Sequence, residues 1–284
     1  MAIVITASEK KLLQNVSIPP RPQTLLTVAD EGKKEHPDVS VIAEAIAADV
    51  GIAAAVLQVV NSAAYRRQQQ INSIQQAVMT LGFRRVFPIV RAVALKRAVT
   101  TDLDLSEFWR YNEWVAGACA IVADAVKLSR IKDHAYMLGL FQNSGIPLML
   151  QQFPDYAPFL KRADTTSWYD LQTAEQQQFS TTHTTVGALL AQQWKLPTLL
   201  VEGIYYLYDD SSVLGTDSEL HPLAIDLLTV AKLAKYAVDL RTRSLAGKDE
   251  WQQVEDDVMS HLGLDEVEVE GIVGEVHEAL FELE

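Results

Sequence analysis

The sequence predicts an all-α protein, and three observations carry that expectation. Apolar residues recur at three- and four-residue intervals almost everywhere. Alternating apolar runs bounded by turns, the mark of strands, are scarce. Ser, Asp and Gly residues stand at spacings that start and stop helices. With 284 residues the chain can bury roughly three quarters of its unfolded surface, enough for a substantial core.

Taken in order, the segment SIPPRPQTLL (Ser17 to Leu26) opens with prolines that hold the chain extended before a helix begins. Asp38, just after Pro37, is placed to cap a helix through Val41, Ile42, Ala45 and Ile46, and Asp49 to cap the next. That next helix carries Ala53, Val56, Leu57 and Val60 on one face. It stops at Asn61 and Ser62, whose side chains bond their own backbone and favour helix ends. A polar connection, Arg66 to Gln70, follows. Ser73 reads as an N-cap, with Gln76 spaced to complete a capping box. The helix it opens buries Ile74, Ala77, Val78 and Leu81, and Gly82 supplies a left-handed stop. A further helix runs to about Ala98 with Val86, Ile89, Val90 and Val93 inward, and Pro88 must sit in its first turn or kink it.

Thr100 to Ser106 is the best candidate boundary between a small N-terminal bundle and the rest. Ser106 is expected to cap a long helix from Phe108 to Leu128, rich in Trp109, Val115, Ala116, Cys119, Val122 and Val126. Helical stretches follow at His134 to Phe141, Ser167 to Phe179, Thr184 to Trp194 and Thr198 to Tyr208. Asp209 to Leu220 reads as loop. More helices fill Pro222 to Leu240, Glu250 to Leu262 and Glu266 to Leu283, with Gly263 and Asp265 as a C-cap followed by an N-cap.

Within this pattern, Asn-Ser-Ala at 61–63 followed by Tyr65, then INSIQQAVMTLGFRR from Ile71 to Arg85, resembles the HDOD domain, the HD-related output domain of bacterial signalling proteins. FWRYNEWVAGACAIVA, LGLFQNSGIPLML and THTTVGALLAQQWKLP resemble later segments of the same family. The resemblance implies an N-terminal helical subdomain over residues 1–103, packed on a degenerate HD-like helical core over 104–220. A C-terminal helical extension occupies 221–284.

Kinship with HD phosphohydrolases implies a place where those enzymes hold metal through His and Asp. Read residue by residue, the ligands have gone. Tyr111 stands at the first His position, Gln142 and Asn143 at the His-Asp doublet, and Leu207 and Tyr208 where a later His pair often ends a helix. His183 alone survives. A neutral amide binds a divalent cation far more weakly than imidazole or carboxylate, and one His cannot hold a metal alone. The simplest account of His183 is a helix-start residue satisfied by local hydrogen bonds. No substitute constellation replaces the lost set. His134 adjoins Asp133, but adjacent helical residues face apart. His36, His221, His261 and His277 stand singly, His277 on what reads as a solvated acidic face. No phosphate-cradling Gly loop or nucleophile elbow is present.

Composition narrows the function further. A formal net charge of −13 argues against general nucleic-acid affinity. The N-terminal apolar run is too short for a signal peptide, and no apolar stretch is long enough to span a bilayer. The single cysteine, Cys119, reads as a small buried residue in a reducing compartment. The expectation is a cytoplasmic bacterial module without enzymatic activity or cofactor that regulates by binding another signalling protein in trans. The alternative is a sensor holding a small molecule, a nucleotide for example, in the vacated metal cavity lined by Tyr111, Gln142, Asn143 and His183. Residual phosphohydrolase activity ranks last. Cations cluster locally at Arg66, Arg67, Arg84, Arg85 and Arg91, a candidate patch for partner docking against which a merely solvated charged face must be weighed.

Overall fold

The computed structural model describes residues 23–62, 65, 70–98, 104–209, 213–214, 218–242 and 245–281, without the side chains at 84, 92, 95–98, 245 and 281. The proline-rich start before Gln23, the arginines Arg66 and Arg67 and the side chain of Arg84 lie outside the described residues. Every regular element among those described is helical. The chain divides into two compact units, one over Pro19–Thr100 and one over Thr101–Phe281.

In the first unit, α1 (Gln23–Glu31), α2 (Val39–Ala47), α3 (Val50–Val60), α4 (Ile74–Leu81) and α5 (Phe83–Ala98) enclose a small core. Val28, Ile46, Val56, Ala77, Ile89 and Val90 are completely buried in it. Asp38 and Asp49 cap as expected, each carboxylate accepting two backbone N–H groups at the helix start. The inward stripes are shifted from the expected ones. In α2, Val41 is exposed and Ile42, Ala43 and Ile46 are buried; in α3 the buried residues are Ile52, Val56 and Val60.

Asn61 does more than end its helix. Its amide donates to the carbonyls of Leu57 and Ile71 and accepts the Ile71 N–H at 2.8 Å, clamping the end of the following connection. Ser73 accepts the Gln76 N–H at 3.1 Å, but Gln76 reaches back to the N–H of Asn72, one residue before the cap. Gly82 has φ 78° and ψ 159°. Only its positive φ matches the expected left-handed stop, and α5 begins at once. Pro88 lies inside α5, beyond its first turn. Ser73→Ala should lower the unfolding free energy by about 1 kcal/mol in a urea titration, and an unchanged midpoint would show that Ser73 does not act as a cap.

The second unit is built on α6 (Ser106–Ala125), which packs along α7 (Lys132–Phe141) and α13 (Pro222–Thr242). The capping of α6 differs from expectation. Asp104 accepts from the N–H and hydroxyl of Ser106, and Ser106 is the first helical residue. Around this pair stand α8 (Gly145–Gln152), α9 (Tyr156–Leu160), α10 (Trp168–Phe179), α11 (His183–Gln193) and α12 (Thr198–Tyr205). The helices after residue 221 belong to the same unit. α14 (Leu245–Gln252), α15 (Glu255–Leu262) and α16 (Glu266–Phe281) all pack against α13, and α16 also reaches α6. Gly263 ends α15 in the left-handed conformation at φ 67°. Asp265 and Glu268 then exchange side chain-to-backbone bonds as a reciprocal cap for α16. His277 is not on a solvated face, because its Nε2 meets the carbonyl of Ala237 at 2.7 Å and ties α16 to α13.

Candidate functional site

Tyr111, Gln142, Asn143 and His183 lie within the second unit, and among the described residues they do not satisfy one another. Tyr111, Asn143 and His183 each turn to a different partner, and most of those partners carry no motif. Tyr111, on α6, donates its hydroxyl to Asp239 of α13 at 2.8 Å. Asp239 is held in turn by Lys235, one turn earlier on the same helix, at 2.8 Å. The same ammonium lies 2.5 Å from Glu250 of α14, whose other oxygen accepts the backbone N–H of Trp168 at the start of α10. Four helices are thus joined through one buried cation and two carboxylates. Burial alone would push the Lys235 ammonium down, but Asp239 and Glu250 outweigh it and hold the group above the ordinary lysine range. Burial and the adjacent Asp239 push the Tyr111 hydroxyl up, so it stays a donor.

His183 opens α11 behind Thr182, whose hydroxyl accepts the Thr185 N–H. It is completely buried, as is Glu175 of α10. One Glu175 oxygen accepts the His183 backbone N–H at 2.9 Å and the Tyr156 hydroxyl at 2.5 Å. The other lies 3.0 Å from His183 Nδ1. A carboxylate only accepts, so the proton sits on Nδ1 and Nε2 faces the opposite way. The imidazole packs against Trp168, ring centroids 4.2 Å apart, and lies 5.7 Å from the Tyr208 ring. Local bonds therefore satisfy half of His183, and Nε2 has no partner among the described residues.

Asn143 accepts from the Tyr208 hydroxyl at 3.4 Å. Gln142 is completely buried, and neither end of its amide has a partner among the described residues. Gly145 follows because α8 starts directly against α11: a Cβ there would lie 1.9 Å from the carbonyl oxygen of His183. As a place for a resident metal, the donor set does not fit. Among the described residues no three of His, Cys, Asp and Glu converge. Glu175 serves Nδ1, Tyr156 and a backbone amide, and Asp239 and Glu250 are both held by Lys235.

A cavity of about 20 Å³ adjoins the network, room for about one water. Its walls include Tyr169, Leu207, Tyr208, Lys232, Lys235 and Glu250, and Tyr111, Gln142, Asn143 and His183 do not line it. Lys232 donates to the carbonyl of Leu207 at 2.6 Å and to the hydroxyl of Tyr169. Burial pushes its pKa down to about 7; Lys235 adds to the effect, while Glu250 and Asp209 oppose it. The folded chain therefore releases this proton at lower pH than the unfolded chain does. Stability should rise with pH above about 7, up to roughly pH 8.5, before thiol and phenol groups titrate in the unfolded state. Urea unfolding at several pH values measures this slope, and Lys232→Met should flatten it.

Glu175, Lys232, Lys235, Asp239 and Glu250 were not legible as site residues. The available signal was in α13, where Lys232, Lys235 and Asp239 recur at helical spacing on a stripe whose neighbours Leu228, Ala231 and Val238 are buried. Of the arginine patch, Arg91 lies 4.2 Å from the ring centroid of Phe87 and Arg85 is partly exposed on the same helix. Among the described residues no single helix is long and apolar enough to cross a membrane.

Comparison with known proteins agrees with this architecture. A crystal structure of an HDOD domain protein from Geobacter sulfurreducens superposes with a TM-score of 0.68 at 20% identity, covering 96% of this chain and 93% of that one. A protein of Shewanella amazonensis SB2B named "Putative phosphohydrolase" gives 0.68 at 24% identity, covering 94% and 93%. At these identities the likeness establishes the fold. A protein of Treponema pallidum (strain Nichols) is 25% identical over 193 residues, 66% of this chain and 37% of its own length. The chain spans about a third of the length of the curated relatives it matches, 37% and 33%. Residues 18–209 match the family model of the HDOD domain, well over half of the 284, and the chain belongs to the HDOD domain family.

Proposed function

We propose that the protein is a non-catalytic regulatory module of a signalling system that acts by binding a partner protein in trans. One observation carries this reading: the residues at the ligand positions are engaged as structural members or are neutral. Tyr111 is bonded to Asp239, Asn143 to Tyr208, and His183 to Glu175, while the nearby acid pair shares the Lys235 ammonium. An arrangement of this kind holds helices in register, and it commits the carboxylates Glu175, Asp239 and Glu250 to structural partners.

The test has two arms. Cyclic dinucleotides and nucleoside phosphates incubated with Mn²⁺ or Mg²⁺ should survive at the rate of a mock-purified control. Turnover above it that is lost in His183→Ala would overturn the reading. The second arm is capture of a signalling partner from the native host, compared between wild type and Arg85→Glu/Arg91→Glu. Weaker capture at low salt supports docking through this helix, and unchanged affinity by the folded variant places the docking surface elsewhere.

A small-molecule sensor is the second reading, favoured by Gln142 and His183 Nε2, which are buried without partners among the described residues. Such groups are normally satisfied by water or a ligand. A thermal shift on adding one member of a nucleotide panel, abolished in Gln142→Leu, would support it.

A further inference from the structure

We propose that the outward face of α5 docks on the outward face of α16 in a second copy of the chain. This head-to-tail contact would occupy the arginines considered above for partner docking. The charge of the chain is segregated along the sequence. Residues 249–284 hold 13 Asp and Glu and no Lys or Arg, while residues 50–101 hold seven Lys and Arg and no Asp or Glu. The last 36 residues therefore account for the whole formal charge of −13, and the rest of the chain, with 24 groups of each sign, is neutral. Charge that serves solubility alone works best with both signs interspersed. Segregation gives every copy one cationic and one anionic region, and it steers opposite regions of different copies together.

The two helix faces carry matching features. α16 buries Val269, Ile272, Val273, Val276 and Leu280 and exposes its opposite side. Val267, Gly271, Gly274 and Glu278 follow one another along the middle of that side at helical spacing. Glu270 flanks the line on one edge and Glu275 on the other, and both are exposed. Val267 is 75% exposed. A Cβ added at Gly271 or Gly274 would meet nothing within 4 Å among the described residues. A glycine inside a helix costs about 1 kcal/mol relative to alanine, and no packing at these two positions offsets it. Together they leave a shallow strip between carboxylates, low enough for another helix to come close. On α5, Val86, Ile89, Val90 and Val93 are buried, and Arg85, Phe87, Pro88 and Arg91 are partly exposed. Arg91 lies over the Phe87 ring, 4.2 Å from its centroid. The ring and the proline offer an apolar surface to lie on the strip, and guanidinium groups can take carboxylates in bidentate fashion. Aromatic and arginine side chains are also those that binding interfaces concentrate. An unrelated acidic helix could satisfy α5 alone, whereas a second copy satisfies α5 and covers the glycine strip in one contact. The two surfaces differ, so each copy that uses one keeps the other open.

Sedimentation velocity on the full chain at about 100 μM tests this. The wild type should associate at about 20 mM NaCl, with an apparent Kd that rises about tenfold or more at about 500 mM as charges are screened. Arg85→Glu/Arg91→Glu should be monomeric because α5 no longer attracts the acidic face. Gly271→Gln/Gly274→Gln should also be monomeric, because it fills the strip without changing any charge. Its higher helix propensity keeps that loss from being one of folding. Each variant retains the surface that the other lacks, so an equimolar mixture should give a 1:1 dimer and nothing larger. Association of either variant as strong as that of the wild type, or a mixture that stays monomeric, overturns the proposal. A wild type that is monomeric at low salt overturns it as well, and leaves the regulatory reading to be decided by partner capture.

Discussion

Lys235→Met is expected to lower the unfolding free energy of the unit over residues 101–281 by about 3–5 kcal/mol, more than any surface substitution could. The variant keeps the aliphatic length and removes the charge. Asp239 and Glu250, with side chains only 4% and 8% exposed, would then face each other without a cation in low-dielectric surroundings. The cost is that of two stranded carboxylates, and the lost attraction is a smaller part of it. A second variant separates the two. Lys235→Met combined with Asp239→Asn and Glu250→Gln leaves no charge at these three positions and should recover much of the loss, since a neutral replacement of a buried ion group is often tolerated. Tyr111→Phe, which removes only the donor to Asp239, should cost about 1–2 kcal/mol. Urea unfolding followed by near-ultraviolet circular dichroism measures all of these. A loss below 1 kcal/mol in the single variant would mean that water reaches the acid pair, and the network would not be the tie between α6, α10, α13 and α14 described above.

This network shows where sequence reasoning stopped. Helix starts were legible because a cap is a local event. Asp38, Asp49, Ser73 and Ser167 bond amides two or three residues away, and spacing alone reveals such contacts. The positions that the resemblance singles out were equally legible, because Tyr111, Gln142 and Asn143 stand in recognisable segments. Their partners were not. Tyr111 and Asp239 are 128 residues apart, and Trp168 and Glu250 are 82 apart. No periodicity connects residues at such distances. His183 illustrates the same limit in one side chain. Its position at a helix start was readable, but its Glu175 partner lies across the corner between α10 and α11, and the unpartnered Nε2 is a property of packing. His277 was misread for the same reason, since its bond runs to a carbonyl 40 residues earlier. Small errors of face, as at Val41, arise because an apolar residue on a short helix can lie at the edge of the buried stripe.

Gly145→Ala is the second substitution expected to have a large effect, and the reason is space. The glycine begins α8 where that helix meets the start of α11. A Cβ at this position would fall 1.9 Å from the carbonyl oxygen of His183 and 2.8 Å from the amide nitrogen of Gly187. Both are backbone atoms, so no side-chain rotation relieves the contact and the two helices must separate. Overfilling of this kind costs about 3 kcal/mol or more when the neighbours cannot yield. The separation would also draw His183 away from Glu175, whose carboxylate accepts both its backbone N–H and its Nδ1–H. The destabilised variant should therefore show a changed His183 imidazole resonance in the fraction that still folds. Gly117→Ala makes the contrasting control. That glycine is also inside a helix, α6, but an added Cβ meets nothing within 4 Å, so better helix propensity should raise stability by about 0.8–1 kcal/mol. The two substitutions add the same methyl group to two buried helical glycines and should move the urea midpoint in opposite directions. If Gly145→Ala is as stable as the wild type and leaves the His183 resonance in place, α8 does not approach α11 as closely as this contact requires.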